Sequence, residues 1–208
     1  MPTIRRLAVI GAGTMGHGIA QVAAMAGHRV TLFDVDFVAA ETGLQRIRKN
    51  LEKGVQLGKV SDATRETTLA ALRTSTELGD AVVEADLVIE AAPESMELKK
   101  SIFADVEARV DPGAILATNT SSLSIATLAE GLRHPERLLG LHFFNPVHLM
   151  KLVEVVHGPQ TDAALLQAAV QFVERLDREP IVVKDSPGFA SSRLGVVLGL
   201  EAMRMVEE

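Results

Sequence analysis

Short apolar runs alternate with longer amphipathic stretches along the chain, a pattern that is typical of strands connected by helices. The apolar runs predict strands at residues 7–10, 29–34, 86–92, 114–118, 150–156 and 180–184, with a short polar strand at 73–75. Apolar residues three or four positions apart predict helices at 37–57, 63–72, 95–110, 124–130, 161–176 and 189–208. A further helix begins near Met15 and stops at Gly27. This alternation predicts a doubly wound α/β domain.

Three glycines follow the first strand with the spacing G-x-G-x-x-G, and the first helix begins directly after them. Gly11 allows the tight turn, Gly13 has no Cβ and lets a pyrophosphate approach the backbone, and Gly16 lets helix and strand pack closely. The free N–H groups at the helix start face the phosphates. The order of strand, glycine turn and helix therefore predicts a dinucleotide site.

An acidic residue, Asp34, ends the second strand and lies 18 residues after Gly16, close to the ~20 expected for the acid that holds a ribose. A carboxylate there accepts hydrogen bonds from both ribose hydroxyls and repels a 2′-phosphate. The pattern therefore favours NAD over NADP. A solvated aspartate at a strand end is the alternative interpretation.

The composition excludes several classes of protein. The 208 residues can form one large domain, or one domain and part of another, and 47% of them are hydrophobic. Because cysteine is absent, disulfides, thiolate metal sites and a cysteine nucleophile are excluded, and we expect no bound metal. The net charge of −6 argues against nucleic-acid binding, and no apolar stretch approaches the ~18 residues of a membrane span. We expect a cytoplasmic protein.

Polar side chains gather where the predicted strands end. Glu90 and Glu94 follow the strand at 86–92, Lys99 lies in the next helix, and Asn-Thr-Ser-Ser at 119–122 follows the strand at 114–118. Ligands of an open parallel sheet bind beyond the carboxyl ends of its strands, so these residues are candidates for a ligand crevice. For 119–122 the alternative is a helix N-cap. Lys53 belongs to a basic stretch that forms either a solvated face or a rim for an anionic substrate tail.

A histidine and a glutamate mark a second candidate site. His142 lies at a strand end, and Glu154 interrupts the apolar strand at 150–156. A carboxylate buried there needs a partner, and His142 supplies one if the two segments run back past each other. Taken separately, they would be a satisfied core histidine and a surface glutamate. Together they form the pair that a general base requires.

The last predicted helix, at 189–208, is apolar almost all round. Such a helix must be buried on several sides. We therefore expect a partner chain or a further domain to cover it.

Six blocks occur in order along the chain: residues 11–16 (GAGTMG), 90–94 (EAAPE), 119–123 (NTSSL), 142–147 (HFFNPV), 150–155 (MKLVEV) and 184–189 (KDSPGF). In these blocks the sequence resembles the L-3-hydroxyacyl-CoA dehydrogenases, which include the bacterial 3-hydroxybutyryl-CoA dehydrogenases. The resemblance extends from about residue 7 to the end of the chain.

The resemblance implies a role for each matching residue. His142 is then the catalytic base and Glu154 the carboxylate that orients it, while Ser121 and Asn145 contact the substrate and the nicotinamide end of the cofactor. The implied cofactor-binding residues are Gly11, Gly13, Thr14, Met15, Gly16, Asp34, Glu94, Lys99, Ser121 and Asn145. The implied substrate-binding residues are Ser121, Asn145, Lys53 and Ser192, and Ser192 stands where the family usually has an asparagine.

The resemblance also implies an architecture and an activity. Residues 1–185 form the NAD-binding Rossmann-type domain, and 186–208 form the first helix of an all-helical domain through which the family makes homodimers. The expected reaction is NAD-dependent oxidation of an L-3-hydroxyacyl-CoA, of short chain such as 3-hydroxybutyryl-CoA, to the 3-ketoacyl-CoA, and its reverse. Two alternatives stay open: a dehydrogenase of another 3-hydroxy acid that is not linked to CoA, and an isolated NAD-binding module without turnover.

Overall fold

Eight strands build one sheet in the computed structural model, which describes residues 4–208. The strands are β1 (Arg6–Ile10), β2 (Arg29–Phe33), β3 (Leu72–Ser75), β4 (Leu87–Glu90), β5 (Ile115–Thr118), β6 (Leu138–Phe143), β7 (Leu152–His157) and β8 (Glu179–Lys184). The helices are α1 (Gly16–Met25), α2 (Phe37–Gln56), α3 (Asp62–Ala70), α4 (Leu78–Val82), α5 (Met96–Glu107), α6 (Ile125–Ala129), α7 (Ala163–Arg175) and α8 (Ser191–Glu207).

The strand order is β3-β2-β1-β4-β5-β6-β7-β8. Neighbouring strands are parallel except for β6 and β7, which are antiparallel. The chain winds outward in both directions from β1 and β4, which pair at the centre. The loops that follow these two strands therefore diverge and open a crevice at the carboxyl edge of the sheet. The predicted doubly wound fold is confirmed.

Helices cover both faces of the sheet, and each face has its own apolar core. Ile19 of α1, Ile47 of α2 and Phe172 of α7 belong to one core. Phe103 of α5 and Leu128 of α6 belong to the other. Because the central strands are covered on both sides, their sequences are nearly continuous apolar runs.

Side-chain caps set the start of several helices. Ser124 caps α6 by accepting a hydrogen bond from the backbone N–H of Thr127. An N-cap within 119–122 is therefore wrong, because Thr120 instead accepts hydrogen bonds from the N–H groups of Ser122 and Leu123 in a turn before the helix. Ser61 caps α3 in the same way, by accepting a hydrogen bond from the backbone N–H of Thr64.

The last helix begins two residues later than the apolar pattern predicts. Gly188 and Phe189 have φ of 72° and 49°, so the chain makes a left-handed turn before α8 starts at Ser191. The Phe189 side chain is buried. By contrast, no side chain of α8 is buried, and its apolar residues are exposed: Leu194, Val196, Val197, Leu198, Leu200, Met203, Met205 and Val206. Within residues 4–208, no helix has the length and apolar character to cross a membrane.

Candidate active site

A cavity of about 700 Å³ lies beyond the carboxyl ends of β1, β2 and β4. The glycine-rich turn after β1 forms one side, and Ala91, Ala92 and Pro93 after β4 form another. Five of the predicted cofactor-binding residues line it: Gly11, Gly13, Thr14, Met15 and Asp34. The structure therefore gathers half of the ten predicted cofactor-binding residues around one cavity at the switch point of the sheet.

The glycines of this turn are required for two different reasons. Gly11 has φ of 97°, and a Cβ there would lie 2.8 Å from the carbonyl oxygen of Ala91. A Cβ on Gly16 would lie 1.7 Å from the carbonyl oxygen of Gly11, which no side chain can tolerate. A Cβ on Gly13 would meet no atom within 4 Å, so it would contact only a ligand bound in the cavity.

Asp34 also holds the glycine-rich turn. Its Oδ2 accepts a hydrogen bond from the backbone N–H of Ala12 at 2.9 Å, and its Oδ1 accepts one from that of Asp36 at 3.2 Å. The carboxylate is therefore fixed between β2 and the turn after β1, at the wall of the cavity. The sequence pattern predicts an acid here but does not reveal that it ties the two loops together.

A second cavity of about 350 Å³ adjoins the first, because Met15, Ala91 and Ala92 line both. Its wall brings together residues from the loops after β4, β5 and β6. Four of them are predicted site residues: Glu94, Ser121, His142 and Asn145. Ser121 and Asn145 are exposed at its mouth, whereas His142 is buried.

His142, at the wall of the second cavity, and Glu154, behind it, form a buried pair. They lie opposite each other in the antiparallel register of β6 and β7, and Nδ1 of His142 is 2.6 Å from Oε2 of Glu154. An ionised carboxylate only accepts, so Nδ1 carries a proton, and in the neutral form of the ring the lone pair is then on Nε2. Within residues 4–208, Nε2 has no hydrogen-bond partner. The ring of Phe144 lies against the imidazole, with centroids 4.5 Å apart.

Glu154 is fully buried yet held as an anion. Burial alone would raise the pKa of Glu154, but hydrogen bonds from His142 and from the backbone N–H groups of Ser191 and Ala190 lower the pKa below its ordinary value. Those two backbone groups belong to the start of α8, whose N-terminal end favours a negative charge. The carboxylate can therefore stabilise a positive imidazole beside it.

A buried network that the sequence reasoning missed supports the wall between the two cavities. Glu90 is 0% exposed and accepts hydrogen bonds from the N–H of Ala92 and from Lys99 Nζ, both at 2.6 Å, and from the Thr118 hydroxyl at 2.7 Å. Lys99, which is 1% exposed, also lies 3.4 Å from Glu94 Oε2. Glu90 and Lys99 are close in sequence, but only the structure shows that both side chains are buried.

Glu94 connects this network to the loop that carries Ser121. Its Oε1 accepts hydrogen bonds from the Thr120 hydroxyl at 2.5 Å and from the N–H of Ser121 at 3.1 Å. Burial alone would raise the pKa of Glu94, but these bonds and the charge of Lys99 lower it. The neighbouring Asn119, one of the candidates for the ligand crevice, lines the second cavity, accepts a hydrogen bond from the N–H of Phe143 at 2.9 Å and so ties the loop to β6.

Five predicted site residues line neither cavity. Gly16 packs against the glycine-rich turn itself and Glu154 lies behind His142, and the other three are Lys99, Ser192 and Lys53. Lys99 is behind the wall, in contact with Glu94. Ser192 is half-buried in the first turn of α8, and Lys53 is exposed on α2. Burial lowers the pKa of His148, in the loop after β6, and nearby cations that include Lys53 lower it further, which places Lys53 near that loop. Direct ligand contacts by these three residues stay predictions.

The larger cavity fits a dinucleotide. An added Cβ at Gly13 would enter the cavity rather than the protein, and no side chain of the described residues caps the N-terminus of α1. Backbone N–H groups and a glycine without a side chain are the groups that accommodate a pyrophosphate, and Asp34 supplies an acceptor for ribose hydroxyls. Fold and cavities together define a dinucleotide-binding domain of the Rossmann type.

Comparison with known proteins identifies the family. Residues 6–186 match the family model described as 3-hydroxyacyl-CoA dehydrogenase, NAD binding domain. The chain therefore belongs to this family, and its cofactor is NAD. It is 42% identical over 208 residues to the 3-hydroxyadipyl-CoA dehydrogenase of Escherichia coli (strain K12), a match that covers 100% of this chain and 44% of the relative.

Two further relatives extend this comparison. The mitochondrial hydroxyacyl-coenzyme A dehydrogenase of Sus scrofa is 41% identical over 211 residues, which cover 98% of this chain and 67% of the relative. The crystal structure of M. tuberculosis FadB2 superposes with a TM-score of 0.94 at 42% identity, and the match covers 99% of this chain and 72% of that one. The chain thus spans less than half of the E. coli relative but nearly all of its own length is matched.

Proposed function

We propose that the protein catalyses the NAD-dependent oxidation of L-3-hydroxyacyl-CoA to 3-ketoacyl-CoA, and the reverse, with His142 and Glu154 as the acid–base pair. The observation that carries this proposal is the buried 2.6 Å contact between Nδ1 of His142 and Glu154. Nε2 of His142 has no hydrogen-bond partner among the described residues, and the imidazole lies at the wall of a cavity that adjoins the dinucleotide cavity. A short acyl chain, as in 3-hydroxybutyryl-CoA, is part of the proposal.

His142 accepts the proton of the substrate hydroxyl at Nε2 in the oxidation. Glu154 accepts the hydrogen bond from Nδ1–H throughout, so it orients the ring and stabilises the positive charge that the ring acquires. NAD, when bound, supplies the hydride acceptor. In the reduction the protonated His142 returns the proton from Nε2 to the carbonyl oxygen of the 3-ketoacyl group.

Ser121 and Asn145 are the polar residues best placed to orient the substrate. Both are exposed at the mouth of the cavity that His142 lines, one on the loop after β5 and the other on the loop after β6. A hydroxyl and a carboxamide each donate and accept hydrogen bonds, so the pair can bind a hydroxyl in one direction of the reaction and a carbonyl in the other. Glu94 lies in the same wall and is proposed to face the nicotinamide ribose.

Assays with acetoacetyl-CoA and with free acetoacetate test this proposal. We expect NADH oxidation with the CoA ester and little with the free acid, and a Michaelis constant for the ester that rises with salt, because salt screens phosphates from a basic rim such as Lys53. Equal rates with free acetoacetate would favour the alternative of a 3-hydroxy acid dehydrogenase that does not use CoA.

Asp34 is proposed to hold the adenosine ribose. Asp34→Ala should raise the dissociation constant of NADH about 10-fold or more, because it removes hydrogen bonds to a charged acceptor. The preference for NADH over NADPH should shrink, because the 2′-phosphate is no longer repelled. Fluorescence titrations with both cofactors measure this. Asp62→Ala, an exposed aspartate of α3, is the matched control, and an unchanged NADH affinity in Asp34→Ala would contradict the assignment.

Glu154→Gln tests the orienting carboxylate. Gln keeps the size of the side chain but removes the charge, so the positive imidazole loses its partner. We expect turnover to fall by about 10²-fold, the lower end of what general acid–base catalysis contributes, with NADH affinity unchanged. Steady-state rates together with a thermal unfolding curve measure the effect. A variant that is folded and fully active would show that Glu154 has only a structural role.

An NAD-binding module without turnover is the second candidate, and the exposed apolar residues of α8 favour it. If a helical domain must cover α8 before substrate can be enclosed, the 208-residue chain would bind NADH yet leave acetoacetyl-CoA unchanged. Binding and turnover measured on the same sample separate the two candidates.

We further propose a homodimer that buries the apolar residues of α8, since such a large exposed apolar patch marks an interaction surface. Light scattering should then give twice the chain mass, and a charged residue in place of Leu198 should give the monomer. A cytoplasmic location is proposed because NAD and acyl-CoA esters are intracellular compounds, and cell fractionation tests it.

A further inference from the structure

The carboxylate of Glu154 receives hydrogen bonds from two directions. Oε1 accepts from the backbone N–H groups of Ala190 and Ser191 at 3.0 and 2.8 Å. Oε2 accepts from Nδ1 of His142 at 2.6 Å and from the hydroxyl of Ser191 at 3.1 Å. Ser191 therefore shares one carboxylate oxygen with the proposed general base.

We propose that Ser191 is a positioning residue of the His142–Glu154 pair, whose hydroxyl fixes Oε2 of Glu154 and limits how strongly that oxygen binds the protonated imidazole. This inference rests on the proposed function for its catalytic meaning. A carboxylate oxygen that accepts a second hydrogen bond presents less negative charge to the first donor, because each donor withdraws electron density from the same oxygen. The hydroxyl thus competes with Nδ1 of His142 for Oε2 of Glu154.

The surroundings of the pair leave few other groups that could set its protonation. Among the described residues that line the smaller cavity, Glu94 is the acidic one, and Lys99 Nζ lies 3.4 Å from its Oε2. On the element before α8, Asp185 is bound to the hydroxyl of Ser124 and the N–H of Ala126, at 2.9 and 2.8 Å. In α8 itself Arg193 is exposed. The rings of Phe144 and Phe189 cover the imidazole without adding charge.

Removal of the hydroxyl should therefore change the protonation of His142 in a defined direction. In Ser191→Ala the carboxylate keeps both backbone donors, and its Oε2 interacts with His142 alone. We expect the pKa of His142 to rise by about 0.5–1, because Glu154 loses the hydrogen bond from the Ser191 hydroxyl that competes with Nδ1 of His142 for Oε2. Ser191→Thr restores a hydroxyl and should return the pKa toward that of the parent chain.

Proton NMR titration of the 208-residue chain measures this pKa directly. The His142 signal is assigned as the one that disappears in His142→Gln. Oxidation needs the neutral imidazole, so in Ser191→Ala the loss of oxidation rate on acidification should begin at a pH higher by the same amount. Reduction needs the protonated form and should persist to correspondingly higher pH.

Ser186→Ala is the control, because its hydroxyl donates to the carbonyl of Lys184 and does not contact the pair. A His142 pKa that is unchanged or lowered in folded Ser191→Ala overturns the proposal, as does a failure of Ser191→Thr to restore it. If the pKa shifts as expected while no 3-ketoacyl-CoA is ever reduced, Ser191 keeps its assigned role and the proposed function fails instead.

Discussion

His142→Gln is expected to lower the turnover of acetoacetyl-CoA by about 10²–10⁴-fold, because general acid–base catalysis contributes that much to a rate. Among residues 4–208, Nε2 of His142 is the only ring nitrogen at the wall of the smaller cavity that has no hydrogen bond. Replacement by glutamine removes this nitrogen. The glycine-rich turn and Asp34 are untouched, so NADH should bind with near-normal affinity. Steady-state NADH oxidation and fluorescence titration give the two quantities on one preparation.

The matched control is His134→Gln. His134 is an exposed histidine that pairs with Glu136 at the surface, 3.1 Å away, and its replacement should leave turnover unchanged. If His142→Gln turned over acetoacetyl-CoA at nearly the rate of the parent chain, His142 would not be the base, and the buried pair would have only a structural role.

Lys99→Met is expected to destabilise the fold by about 3–5 kcal/mol, the cost of removing one partner of a buried ion pair. Glu90 is 0% exposed, and without Lys99 its charge would keep, among residues 4–208, only the N–H of Ala92 and the Thr118 hydroxyl as donors. Urea unfolding followed by circular dichroism should show a much lower midpoint. Adding Glu90→Gln to Lys99→Met should recover part of the loss, because the uncompensated charge is then removed.

Lys100→Met supplies the control for Lys99→Met. Lys100 pairs with Glu130 at 3.0 Å at the surface, and exposed pairs contribute about 0–1 kcal/mol. If Lys99→Met unfolded at the same urea concentration as Lys100→Met, Lys99 would not stabilise the buried network. Lys99 would then be free for the direct cofactor contact that the family resemblance implies.

Local patterns were sufficient to predict most of the fold. The strands and the first helix follow from apolar runs, glycine spacing and helical periodicity, and these signals lie within a few residues of one another. The start of α8 was predicted too early because Phe189 continues the apolar pattern. Its side chain is buried beside His142, while its backbone adopts a left-handed turn that the pattern cannot reveal.

The part of the candidate site that could be predicted is the pairing of a buried charge with its hydrogen-bond partner. Glu154 within an apolar strand required a donor, and His142 supplies one if the two segments run back past each other, so their pairing in the structure follows from the cost of burying a charge. The contacts of Glu154 with the start of α8 were not predictable, because they join positions 36 and 37 residues apart. The bond between Asp185 and Ser124 spans 61 residues and carries no local signal either.

Single-turnover reduction tests the central claim most directly. The 208-residue chain is loaded with one equivalent of NADH, excess acetoacetyl-CoA is added, and the loss of NADH absorbance is followed for the parent chain and for His142→Gln. We predict a stoichiometric loss in the parent chain and a loss slower by about 10²-fold or more in the variant. Equal rates in the two chains, or a parent chain that binds NADH and never oxidises it, would contradict the proposal that this chain carries a complete acid–base site built on His142 and Glu154.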